Sequence, residues 1–172
     1  MKYKNEDIIV LETNALQILP LKYVKNYLRI DNDCDDELLI NAIATAINYA
    51  EYTINKVFGS KIYRLTLESD SNILQIDKLP LVISNVRSLT VNDKTLDATF
   101  YEIQGGIIIM KTPIFGKITV VFEAGIQLGE VPVDIRQAML FHVASIYQNK
   151  DGNAIAPKAT QEIYSLYRNI RV

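Results

Sequence analysis

Apolar positions in this chain change their spacing twice. Leu21, Val24, Tyr27 and Leu28 follow Pro20 at helical intervals, and an acidic stretch, Asp31 to Glu37, comes next. Leu38, Leu39, Ala42, Ile43, Ala46, Ile47, Ala50, Ile54 and Val57 then recur at three- and four-residue steps, which predicts one long amphipathic helix stopping at Gly59. From Lys61 the period becomes two. Tyr63, Leu65 and Leu67 alternate with polar residues, as do Ile118, Val120 and Phe122 later, the signature of half-buried strands. Between them lie apolar runs at 73–76, 86–91, 100–103 and 107–111, separated by turn residues at Asn92-Asp93, Gly105-Gly106 and Thr112-Pro113 through Gly116. Short strands with such turns predict an antiparallel meander. Helical spacing returns after Pro132, with Ile135, Ala138, Met139, His142, Val143, Ile146 and Tyr147 on one face. Pro157 opens a last helix whose stripe is Ile163, Leu166, Tyr167 and Ile170. The start of the chain, with a short apolar stretch carrying Glu12, predicts no defined element.

This order predicts an α+β fold. A mainly helical core of about four helices, from 20–57 and 132–170, surrounds an antiparallel β-sheet insertion at 61–125, between the second and third main helices. A length of 172 residues fits a single domain, 1–172.

Composition narrows the function mostly by exclusion. A net charge of −2 argues against a dedicated nucleic-acid binder, which needs clustered positive charge. The single cysteine, Cys34, cannot form an internal disulfide, and with a single histidine, His142, the usual zinc sets cannot be assembled. No stretch has the apolar length of a membrane span, and the start lacks a signal-peptide core, which predicts no membrane partner and a cytoplasmic location.

Candidate chemistry is sparse. Asp31, Asp33 and Asp35 match the opening ligand positions of a calcium loop. However, Asp36 stands where glycine is required and Ala42 where a bidentate glutamate is required. Capping of the long helix explains these residues better, with Asp33 or Asp35 accepting from free N–H groups and Asp36 and Glu37 facing the helix dipole. His142 lies on an apolar stripe two turns from Asp134, the position of a core histidine. No nucleophile elbow or phosphate-cradling loop occurs. Metal, cofactor and catalytic residues are therefore expected to be absent. The rival reading is a metal-dependent enzyme or ligand-binding domain using the Asp31–Asp36 loop. Tyrosine supplies 10 of the 15 aromatic residues, and tyrosine suits partner-facing surfaces.

Three phrases carry a family resemblance. Leu21-Lys22-Tyr23-Val24-Lys25-Asn26-Tyr27-Leu28-Arg29-Ile30-Asp31, followed by Asp36-Glu37-Leu38-Leu39, resembles the opening L-x-x-V-K-x-Y-L-R-I-D…D-D-x-L-L of the gp6-like head–tail connector (adaptor) family of tailed phages, prophages and gene transfer agents. Val131-Pro132-Val133-Asp134-Ile135-Arg136-Gln137-Ala138, leading to Tyr147-Gln148-Asn149-Lys150, resembles its V-P-x-D-L-x-Q-A…Y-x-N-R-E helix. Leu166-Tyr167-Arg168 is similar to its closing L-L-x-P-Y-R. Lys150 replaces the usual arginine, and no proline precedes Tyr167.

The resemblance implies a structural virion part and no enzyme. Subunits would form a closed, dodecameric ring beneath the portal protein, through which DNA passes without sequence-specific binding. A stopper or tail-completion protein would sit on the far side; a role as that protein is the alternative within the class. The implied location is the virion neck, reached from the host cytoplasm during assembly. Tyr164, Tyr167, Arg168 and Arg171 are the residues expected to dock on the portal, because tyrosine and arginine are enriched at binding hot spots. Removal of everything after Pro157 is expected to abolish docking and leave the fold largely intact.

Overall fold

The computed structural model describes residues 4–69, 73–74, 83–104, 107–149 and 155–168. The chain divides into two compact units. One comprises Met1–Thr13 and Ser60–Gly125, the other Asn14–Gly59 and Ile126–Val172. With four helices and a mostly antiparallel sheet, the fold is α+β.

The first unit is built of strands: β1 (Lys4–Thr13), β2 (Lys61–Ser69), β3 (Ile73–Leu74), β4 (Ile83–Val91), β5 (Lys94–Thr95), β6 (Tyr101–Gln104), β7 (Ile107–Met110) and β8 (Gly116–Ala124). Five of them form one sheet in the order β1-β2-β8-β4-β5, and the other three form a small sheet ordered β3-β7-β6. The described strands pair antiparallel throughout, but the large sheet is not the expected meander. β8 lies between β2 and β4, since its alternation buries Ile118, Val120, Phe122 and Ala124 along its whole length. Such a strand suits the centre of a sheet, paired on both edges. The Tyr63 and Phe122 rings stack across the β2–β8 pair at 5.5 Å.

The N-terminal stretch is the second departure. It forms β1 and pairs with β2 from Lys4↔Glu68 to Thr13↔Lys61, with bulges between Lys4 and Asp7 and between Val10 and Glu12. The continuous run Ile8-Ile9-Val10-Leu11 has no period-two pattern, so nothing in its spacing announces a strand. The Asn92-Asp93 turn is as expected: both residues have positive φ (48° and 63°), the conformation that joins β4 to β5 tightly. The Gly105-Gly106 turn and the apolar residues at 75 and 76 lie outside the described residues.

The second unit contains α1 (Leu21–Leu28), α2 (Asp36–Ile54), α3 (Val133–Gln148) and α4 (Lys158–Tyr167). α2 supplies the floor of the core through Leu39, Ala42, Ile43, Ala46, Ile47, Ala50 and Ile54, and α3 packs on it through Ile135, Ala138, Met139, Leu140 and Val143. Pro20, Pro132 and Pro157 sit at the N-cap positions of α1, α3 and α4. α2 ends earlier than its stripe suggests, at Ile54. Asn55 takes the left-handed conformation (φ 58°) that terminates a helix, and Val57 stays buried beyond it. Gly59 marks a close approach instead: its N–H donates to the Ile126 carbonyl (2.8 Å), and a side chain there would meet Ile18.

Candidate functional site

The acidic loop is the first place where the sequence offers charge, and the structure occupies that charge internally. α1 presents the Lys25 ammonium to Asp33 (2.5 Å) and Asp36 (2.7 Å). Hydrogen bonds from Lys25 hold the Asp33 carboxyl below its ordinary value, and the same bonds raise Lys25. Asp35 accepts from the Tyr147 hydroxyl of α3 (2.6 Å), which pushes that phenol up. The expected side-chain cap on α2 is therefore not what these carboxylates do. Asp35 occupies the N-cap position without a side-chain cap bond, while Asp36 and Glu37 stand in the first turn as expected. Among the described residues, no group of three or more His, Cys, Asp or Glu side chains could hold a metal ion. His142 is 1% exposed, edge-on to the Tyr49 ring at 5.0 Å, and Asp134 bonds elsewhere.

The candidate surface lies where α4 ends beside the start of α3. Pro132 fixes the entry to α3, leaving Val133 70% exposed and Asp134 in the first turn, where the helix dipole favours a carboxylate. Tyr167, the last residue of α4, donates its hydroxyl to Asp134 (2.6 Å), and this bond raises the phenol above its ordinary value. Thr160 ties the other end of α4 to α3 by donating to the Ala138 carbonyl (3.2 Å) from a buried position. These two bonds set the rotation of α4. Leu166 is thereby turned outward and is 81% exposed, next to the exposed Arg168 at the C-cap.

This geometry separates the four residues expected to dock. Tyr167 and Arg168 are at the surface, Tyr167 partly covered. Tyr164 is 0% exposed, its ring tilted against Tyr49 at 6.2 Å, so it has no face to offer a partner and belongs to the core. Arg171 lies outside the described residues. The stripe read from sequence is also rotated, because Thr160 and Tyr164 point inward where Leu166 was expected to. Truncation after Pro157 would strip the buried Thr160 and Tyr164 side chains from the unit. Val133 and Leu166 are surface residues that the sequence reading did not single out; Leu166 stands at a helical interval that reads as core, and Val133 lies ahead of the stripe of its helix.

Residues 19–102 match the family model of the phage gp6-like head-tail connector protein. Over that stretch the chain is similar to the connector family. The opening phrase, α1, the acidic loop and α2 all fall within the match, as do β2 and β4. Solved structures similar to this chain include one described as the neck of an empty GTA particle computed with C6 symmetry. It aligns with 18% identity and a TM-score of 0.76 over 96% of this chain and 97% of that one. A chain from the virion of a native gene transfer agent particle aligns with 21% identity and a TM-score of 0.69, covering 96% of each. A third, from the neck of a native GTA particle computed with C12 symmetry, aligns with 20% identity and a TM-score of 0.70 over 95% and 97%. At these identities the likeness establishes a shared fold. No curated protein matches the chain.

Proposed function

We propose that the chain is a structural head–tail connector that forms a ring in the neck of a phage-like particle and carries no enzymatic activity. The match to the connector family over residues 19–102 carries this reading. The fold shared along nearly the whole chain with neck and virion chains of gene transfer agent particles supports it. Subunits add around the axis of a portal protein, with a stopper or tail-completion protein on the opposite side and DNA passing through the lumen. A net charge of −2 suits a conduit that must not hold the duplex by counterion release.

Docking on the portal is assigned to the end where α3 begins and α4 finishes. Leu166 and Val133 supply exposed apolar area, Arg168 supplies a donor fork, and Tyr167 supplies a ring held in place by Asp134. Arg171 extends the basic segment in sequence. The test is co-assembly of the full chain with the portal protein of the same particle, read by electron microscopy. Rings at the portal are expected with the native chain, and at least tenfold weaker binding with Leu166→Asp/Arg168→Glu, both at exposed positions. Unchanged binding by that variant would move the docking site elsewhere; a chain found only at the tail-distal position would make it a stopper.

A further inference from the structure

Among the described residues, the large sheet ends in two open edges. Among the described residues, β1 pairs only with β2, so its outer edge is free along Asp7–Thr13. At the far side, again among the described residues, β5 pairs with β4 at Thr90 and Val91, and Leu96 N–H bonds the Leu89 carbonyl, which leaves Ile83–Ser88 without a neighbour on that edge. β1 is also an unusual edge. Ile9, Val10 and Leu11 are 47%, 51% and 40% exposed; Ile9 and Val10, paired with Arg64 and Tyr63, lie on opposite faces of the sheet, and Leu11 falls in the bulge. Val10 stays half exposed although its partner on β2, Tyr63, is buried. A long, apolar, unpaired strand is a template for another strand, and stable monomers blunt such edges.

We infer that β1 of one subunit pairs with the open stretch of β4 on the next copy of this chain, so that the ring closes through a continuous β-belt. The inference rests on the ring reading above. Direction favours it. The four long strands alternate strictly, so β1 and β4 run oppositely, and a second copy added head to tail brings its β1 alongside β4 in the antiparallel sense. Using two different edges makes the contact heterologous, the kind that generates rings when the rotation closes. Length agrees: seven residues of β1 face six of β4. Charge agrees as well. β1 carries Asp7 and Glu12, and antiparallel pairing brings Asp7 to the Arg87 end of the open β4 stretch. The Arg87 guanidinium is 48% exposed there, beside Glu123 at 3.5 Å.

Cysteine cross-linking in the assembled complex tests the pairing. Ile9 and Asn85 both lie on the sheet face that carries Arg64 and Glu123, near the middle of their edges. Cross-strand neighbours there come within disulfide reach. The variant Ile9→Cys/Asn85→Cys, in a Cys34→Ser background, is assembled with portal complexes, checked for rings by electron microscopy, oxidised and run on a denaturing gel. A ladder extending past the dimer is expected from the double variant only. Dimers from Ile9→Cys alone would mean two-fold β1–β1 pairing and overturn the inference. Rings without a ladder would overturn it and leave the connector reading standing, whereas an absence of rings would sink both. As a second arm, Ile9→Lys/Leu11→Lys changes only exposed positions. It is expected to retain the native circular dichroism spectrum and to raise the concentration needed for ring assembly at least tenfold; unchanged assembly by the folded variant would overturn the inference.

Discussion

The Tyr164 hydroxyl is buried in the helical unit without a hydrogen-bond partner, and burial pushes its ionisation far up. A buried polar group in that position gives little to stability, whereas the ring fills space that nothing else can fill. Tyr164→Phe should therefore alter unfolding free energy by no more than about 1 kcal/mol, while Tyr164→Ala should cost about 3–5 kcal/mol, both measured by urea denaturation. Lys25 behaves differently, because its contribution depends on pH. The Asp33 carboxyl sits below its ordinary 3.8 in the folded chain, so the ion pair contributes fully above that value and is lost as pH falls through the depressed one. Lys25 lies above its ordinary 10.5, so the same contribution is lost again as pH rises past that raised value. Lys25→Met should flatten both limbs of a stability-versus-pH curve and leave the interval between them parallel to the native one. At Gly116, φ is 113° and a side chain would collide with Asn92, whose amide accepts from Lys117 N–H (3.0 Å) and donates to the Phe115 carbonyl (3.1 Å). Gly116→Val should lower the melting temperature clearly, and Asn92→Ala less so.

At the scale of elements, periodicity reveals some and conceals others. α2 and α3 are legible because one face of each is apolar over four turns or more, and β2 and β8 because each alternates cleanly. β1 is hidden by its own composition: an edge with exposed apolar residues on both faces has no alternation to read. The rotation of α4 is hidden for another reason. Its orientation follows from Thr160 bonding Ala138 and Tyr167 bonding Asp134, contacts between residues more than twenty positions apart that no local spacing encodes. That rotation decides the candidate site, turning Leu166 out and Tyr164 in. The acidic loop shows the same limit, since its charge pattern is visible but its partners, Lys25 and Tyr147, belong to other helices. The end of α2 can be tested directly. Asn55 adopts φ 58°, which a β-branched residue tolerates poorly, so Asn55→Val should cost about 1–2 kcal/mol by denaturation while Asn55→Gly should be close to neutral.

For the whole molecule, the useful feature is the bond from Tyr167 to Asp134, which sits in the proposed docking end and is mirrored by Tyr147 to Asp35. The chain contains no tryptophan, so its near-ultraviolet absorption and emission come chiefly from 10 tyrosines. In both bonded tyrosines the phenol ionises above its ordinary 10.0, because each hydroxyl donates to a carboxylate. A spectroscopic titration should therefore show phenols ionising late, and Tyr167→Phe should remove one from that group. A partner that is tryptophan-free, or excited where only its own label responds, would disturb one of these phenols on contact and leave the other untouched. The subunit thus carries its own unlabelled reporter and an internal reference, so arrival at the neck could be timed by optical signal.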